Sequence, residues 1–246
     1  MMNLKNATKD DLLNGITMLI DKPLGWTSFD VVNKLKFLLK NRAGLKKIKI
    51  GHAGTLDPLA SGLLIICCGK NTKLIESFQE FEKEYSGIFL LGATTPSFDL
   101  ETEVDFIFSI DHVSLKSVKE EAEKFIGDIS QMPPIFSAKK IDGKRAYDIA
   151  RKGKVPDVKP KMVNISKFEI VKFDLPDIHF NIVCSKGTYI RSIAKDLGIA
   201  LKSGAYLKAL RRERIGNFKV ENAMSIDDAQ NAILFNPNLV KNPTEE

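Results

Sequence analysis

Two rhythms of apolar and polar positions run along this chain, and each predicts its own kind of element. Ile16 to Ile20 is a short, mostly apolar run closed by Asp21-Lys22-Pro23-Leu24-Gly25, which reads as a buried strand and a turn. Val31, Val32, Leu35, Leu38 and Leu39 then recur at spacings of three and four behind Thr27 and Ser28. That is an amphipathic helix with a hydroxyl cap, ending near Gly44. Leu63-Leu64-Ile65-Ile66-Cys67-Cys68 predicts a fully buried strand, and Tyr85 to Leu91 another that Gly92 stops. Behind Ser114, the residues Leu115, Val118, Ala122, Phe125 and Ile126 form one stripe of a second helix, ended by Gly127. Gln131-Met132-Pro133-Pro134 cannot continue a helix, and a short one is expected from about Ala146 to Arg151. Val163–Phe173 and Ile178–Ser185 read as a strand pair joined through Asp174-Leu175-Pro176-Asp177, and a helix from Arg191 to Lys202 follows. Helices interrupt the strands irregularly. The expected class is therefore α+β, a mixed and largely antiparallel sheet with flanking helices, and not a doubly wound parallel sheet.

Composition changes this picture only in part. The chain has 246 residues, 43% hydrophobic and 28% charged, enough for a sizeable core. No apolar run is long enough to cross a bilayer, and the polar start, Met1 to Gly15, is no secretory signal. Cys67, Cys68 and Cys184 show no metal-ligand spacing, and their odd number argues against a disulfide framework. Reduced, buried thiols in a cytoplasmic protein are expected. Charge is more telling, because the net +6 is unevenly spread. Residues 35–50 carry six bases and no acid, residues 139–161 nine bases against three acids, and residues 208–219 five against one. Each alone reads as solvated surface; together they point to a phosphate-binding face. No GxGxxG or Walker-type loop is present, which weakens nucleotide-cofactor readings.

The sharpest local feature is Gly51-His52-Ala53-Gly54-Thr55-Leu56-Asp57-Pro58-Leu59-Ala60-Ser61-Gly62. It places one carboxylate on a tightly shaped loop that feeds a buried strand. An Asp before Pro is ordinarily a turn residue. Four further blocks stand in order around it: Lys22-Pro23-Leu24-Gly25-Trp26-Thr27-Ser28, Lys83-Glu84-Tyr85, Gln131 to Lys140, and Cys184-Ser185-Lys186-Gly187-Thr188-Tyr189-Ile190-Arg191.

With these five blocks the chain resembles the TruB family of pseudouridine synthases, over roughly Ile16 to Phe218. The resemblance implies the pseudouridine synthase catalytic fold and isomerisation of the uridine at tRNA position 55, in the T-loop, without metal or organic cofactor. It implies Asp57 as nucleophile, Arg191 as the cation that keeps it charged, and Tyr85 as the ring stacking on the extruded base. Tyr189 and Leu210 would line the base pocket, and His52 would contact the substrate beside the flipped nucleotide. A catalytic domain over 1–222 is expected, with 131–161 as an RNA-clasping insertion and 223–246 as a short tail without a separate PUA module. The partner would be the T-arm of tRNA, met by a monomer acting without guide RNA or membrane. An RNA-binding or RNA-folding factor without turnover is the competing class. One segment departs from the family pattern: in Thr95-Pro96-Ser97-Phe98-Asp99-Leu100-Glu101-Thr102, Ser97 replaces a usual Thr and Thr102 a usual Gly.

Overall fold

The computed structural model describes residues 4–134, 140–141, 144–145 and 159–239, so the helix expected at 146–151 and most of the 131–161 segment lie outside the described residues. The chain forms two compact units, Met1–Lys83 with Arg211–Glu246, and Glu84–Leu210. A 3-10 turn (Leu4–Asn6) opens the first, followed by α1 (Lys9–Asn14), β1 (Ile16–Lys22), α2 (Ser28–Ala43), β2 (Ile50–His52), β3 (Ala60–Cys68), a 3-10 segment (Gly69–Leu74) and α3 (Ile75–Glu80). The chain continues through β4 (Lys83–Leu91), β5 (Ala93–Thr94), β6 (Phe106–Ile107), α4 (Leu115–Glu123) and β7 (Gly127–Gln131). Then come β8 (Lys140–Ile141), β9 (Lys144–Arg145), β10 (Lys161–Asp174), β11 (Asp177–Cys184) and α5 (Ile190–Ala200). β12 (Ala205–Ile215) is followed by β13 (Phe218–Lys219), a 3-10 turn (Val220–Asn222), α6 (Ile226–Leu234) and a last 3-10 turn (Pro237–Leu239).

In the first unit, β1 pairs antiparallel with β3 from Ile16↔Cys68 to Lys22↔Gly62. β2 takes the far end of β3 through Ile50↔Cys68 and His52↔Ile66. α2 starts where the sequence predicts: Thr27 and Asp30 form a reciprocal capping box, and Gly44 ends the helix at φ 65°. Its buried face, Val31, Val32, Leu35, Leu38 and Leu39, meets β1, β3 and α6 in one core cluster. Residues 223–239 join that cluster through Ile226, Ala229, Ala232, Ile233 and Leu239. Asn236 secures them, its buried side-chain amide donating to the carbonyls of Leu4 and Ala7 at 2.7 and 2.8 Å.

In the second unit the strand order is β12–β4–β11–β10–β7, with β12 contributing Ala205–Leu210. The expected β10–β11 pair is present, Phe168 facing Ile182 and Asp174 facing Asp177. Its core is aromatic: Phe89 stacks on Phe180 with centroids 4.0 Å apart, and Phe168 meets both edge-on. α4 is shorter than its stripe suggested. It ends at Glu123, before Phe125 and Ile126; Val118 and Ala122 are buried, while Leu115 and Ile126 are 40% and 48% exposed. β1–β3, β10–β11 and β7–β10 pair antiparallel, whereas the bridges Ile20↔Met224 and Asp99↔Leu207 are parallel. The α+β class with a mixed, largely antiparallel sheet holds. All three cysteines are buried, and none is joined in a disulfide; burial raises the Cys67 thiol pKa and pushes that of Cys68 up to about 12.

Asn236→Ala should lower unfolding free energy by about 1–3 kcal/mol, because two buried carbonyls lose their donor. Asn238→Ala, whose bond to the Asn6 carbonyl is exposed, should stay within about 0.5 kcal/mol of the parent. Urea denaturation of both variants checks this.

Candidate active site

The sequence-predicted residues fall into two groups, His52 and Asp57 in the first unit and Tyr85, Tyr189, Arg191 and Leu210 in the second.

Asp57 sits half-buried on the loop between β2 and β3, and two side chains and one backbone amide from other segments hold that loop. Ser28, in the first turn of α2, accepts from the Leu56 N–H at 2.8 Å and donates to the Leu56 carbonyl at 3.1 Å. Thus the backbone next to Asp57 is fixed on both sides by one hydroxyl. The Gly25 N–H donates to Pro58 O at 2.8 Å, and the Ala60 N–H to Asp57 O at 3.1 Å. Arg212 on β12 is buried and donates to the carbonyls of Leu63, Gly54 and Thr55 at 2.7, 3.1 and 3.5 Å. Glycine is required at Gly62, where φ is +104° and a Cβ would lie 2.3 Å from the Arg212 carbonyl oxygen.

Lys22 stands in the sequence only as one letter of a motif, yet its side chain is fully buried. The ammonium donates to Trp26 O at 2.6 Å and Pro23 O at 2.9 Å. Burial lowers its pKa to about 8; Asp57 pulls it back up, Arg212 pushes it down, and Asp30 and Asp21 raise it further. Asp57 is thereby within electrostatic reach of a buried cation to which the sequence reading gave no role. His52 is held neutral near pH 7, its pKa lowered first by burial and then by the Arg212 charge. Its Nδ1 is buried without a hydrogen-bond partner among the described residues.

In the second unit, two motif blocks lock together through hydrogen bonds. The buried Gln131 side chain accepts from the Tyr189 N–H at 2.7 Å and donates to the Tyr189 carbonyl at 3.1 Å. Ser192 Oγ donates to Met132 O at 2.7 Å. The residue pair Gln131-Met132 therefore sets the entry of α5, where Tyr189 is the N-cap and Arg191 lies in the first turn. Arg191 is buried and faces the equally buried carboxylate of Asp99 at 3.4 Å. Asp99 is the surviving acid of the departing segment, and the departures fit each other. Thr102 Oγ1 accepts from the Ser97 N–H at 3.0 Å and lies 2.9 Å from Ser97 Oγ. Ser97 and Thr95 hydroxyls in turn both donate to Asp99 O. Tyr85 is buried near the start of β4, and Leu210 is partly buried on β12. Among the described residues no three His, Cys, Asp or Glu side chains cluster as metal ligands, and no helix is long and apolar enough to cross a membrane.

Residues 40–190 match the family model described as TruB family pseudouridylate synthase, N-terminal domain. Residues 191–242 match the tRNA pseudouridylate synthase B C-terminal domain. A Flavobacterium johnsoniae protein named tRNA pseudouridine synthase B is 54% identical over 220 residues, covering 89% of this chain and 96% of that one. A Phocaeicola vulgatus protein of the same name is 53% identical over 213 residues, covering 87% and 91%. Among solved structures, a chain of a Cbf5-Nop10-Gar1 complex superposes with a TM-score of 0.70 at 26% identity. This chain, matched over 95% of its own length, spans 59% of that one.

Ser28→Ala should destabilise the chain by about 1–3 kcal/mol, leaving the buried Leu56 amide and carbonyl unpaired; an unchanged thermal or urea midpoint would show that the hydroxyl does not hold the loop. Lys22 gives a pH signature of its own. Its pKa is about 8 in the folded chain against an ordinary 10.5, so between those values the unfolded chain binds the extra proton. Its contribution to the unfolding free energy should therefore rise with pH from about 8 to about 10.5. Subtracting the stability–pH curve of Lys22→Met from the parent curve isolates that rise, and a flat difference would remove the buried-cation account.

Proposed function

Because the chain belongs to the TruB family of pseudouridylate synthases, we propose that it isomerises a uridine of tRNA to pseudouridine, at position 55 of the T-loop, with Asp57 as nucleophile. The observation that carries this reading is the construction around Asp57: one carboxylate, flanked by backbone that Ser28, Gly25 and Arg212 pin, within reach of the buried Lys22 cation.

The reaction breaks the N1–C1′ bond, turns the uracil and joins C5 to C1′. The C5 proton is lost and N1 gains one, so substrate and product are isomers and no redox partner is needed. A carboxylate can serve as the nucleophile only if it is ionised and held in place. The uridine must first leave its stack, which costs on the order of a few kcal/mol. On this reading His52 faces the vacated position with a neutral, flat ring and one unpartnered nitrogen. Tyr85 stacks on the base and takes part in proton transfer, while Tyr189 and Leu210 line its pocket. Arg191 acts as the guanidinium of the site, and Asp99 holds it in position. The protein works in the cytoplasm as a monomer, without a guide RNA or cofactor. Residues 1–222 make up the catalytic domain, and 131–161 clasp the RNA.

Tritium at uridine C5 reports the reaction, since pseudouridine has the mass of uridine. Unmodified tRNA labelled there should release one equivalent per tRNA on incubation with the protein alone. Binding without release would leave an RNA-binding factor in place of the enzyme. Asp57→Asn should abolish release while tRNA affinity changes by less than a few-fold; turnover by that variant would dismiss Asp57 as nucleophile.

A further inference from the structure

The first unit carries an open cavity of about 690 Å³ whose charged lining, among the described residues, is entirely lysine. Three stretches of chain build it. Lys36 and Lys40 stand one turn apart on the solvent face of α2, opposite its buried leucines. Lys46, Lys47 and Lys49 come from the loop that enters β2, and Lys70 and Lys73 from the 3-10 segment after β3. The local fold brings the last two groups together. The Gly69 N–H donates to Lys49 O at 2.8 Å. A Cβ at Gly69 would fall 2.2 Å from Leu12 O, so only glycine lets this segment lie against the end of α1.

All seven lysines are exposed, so none has been taken out of water. Among the described residues no Asp or Glu lines the cavity, and none of the seven lysines forms an ion pair. Lys70 does donate at 2.9 Å, but to the neutral Asn14 side chain. Gathering like charges without counter-charges works against the compact state, and a polyanion relieves that repulsion. One inorganic phosphate would engage only a few of these amines; seven around a space of this size suit a succession of phosphates. The residue type narrows the ligand further. Lysine is a flexible point charge without the guanidinium fork that reads base edges. Among the described residues the lining also holds no aromatic ring on which single-stranded bases could stack. Contacts of this kind position a nucleic-acid backbone and ignore its sequence. Lys49 is three residues from His52, within about 10 Å even if fully extended, so an RNA whose nucleotide meets His52 passes beside the cavity.

We propose that this lysine cavity anchors several consecutive phosphodiesters of the RNA, apart from the nucleotide that reacts. The identity of that RNA as tRNA rests on the function proposed above. The test uses the whole chain, unmodified tRNA transcript as probe, and binding measured across a sodium chloride series. Two fourfold variants are compared with the parent. One carries Lys36→Gln, Lys40→Gln, Lys70→Gln and Lys73→Gln; the other has Arg at the same four positions. Circular dichroism and urea midpoints establish that both are folded.

For the Gln variant, the slope of log K against log salt should become shallower by roughly 3, at about 0.7–0.9 for each phosphate no longer neutralised. Its Kd at low salt should rise at least tenfold, while the Arg variant keeps the parental slope. A Gln variant with parental slope and Kd overturns the proposal and leaves the cavity to an acidic protein partner. Tritium release by the parent chain reads the other question independently. Lysine-dependent binding without release would uphold the anchor while ending the enzyme reading.

Discussion

The buried guanidinium of Arg212 is the tie on which the first unit's chemistry depends. A cation in that position has to be surrounded by acceptors, because an unpaired buried charge is among the most destabilising defects a fold can carry. Here the acceptors are main-chain carbonyls of Gly54, Thr55 and Leu63. Satisfying the arginine therefore requires the loop to adopt one path, and that path sets the backbone of Asp57. The same charge lowers the pKa of both Lys22 and His52, so one side chain fixes geometry and electrostatics together.

Much of this was legible in the sequence where a periodic apolar face coincided with a cap. α2, with five spaced aliphatics between Thr27 and Gly44, lies where the pattern puts it. The apolar runs of β1 and β3 and the alternation of β11 were equally direct. Short elements escaped, since two turns offer little periodicity. α1 and α6 do carry cap signals, Thr8 with Asp11 and Ser225 with Asp228, which could have found them. β12 escaped for a different reason. Its Arg211-Arg212-Glu213-Arg214 stretch reads as solvated charge, because hydropathy cannot foresee that Arg212 is buried among carbonyls.

The site shows the same division. Motif blocks named Asp57, His52, Tyr189 and Arg191, but not which neighbours restrain them. Ser28 and Gln131 work through pairs of hydrogen bonds, and Asp99 through an ion pair, between distant stretches of sequence, and no local pattern encodes such a pairing. The altered segment at 95–102 is instructive. Ser97 and Thr102 each depart from the family pattern, yet their hydroxyls meet at 2.9 Å. Seen in pairs, the substitutions form one local arrangement that keeps the Asp99 backbone bound by Thr95 and Ser97.

The three cysteines are buried and outside any disulfide, so they contribute packing, with the thiolate of Cys68 strongly disfavoured. Maleimides and other sulfhydryl reagents need an accessible thiolate. The native protein should thus be silent toward them, without any residue having to be replaced. A single cysteine introduced on the surface would then accept a fluorophore or spin label at one known place, with the natural core left intact.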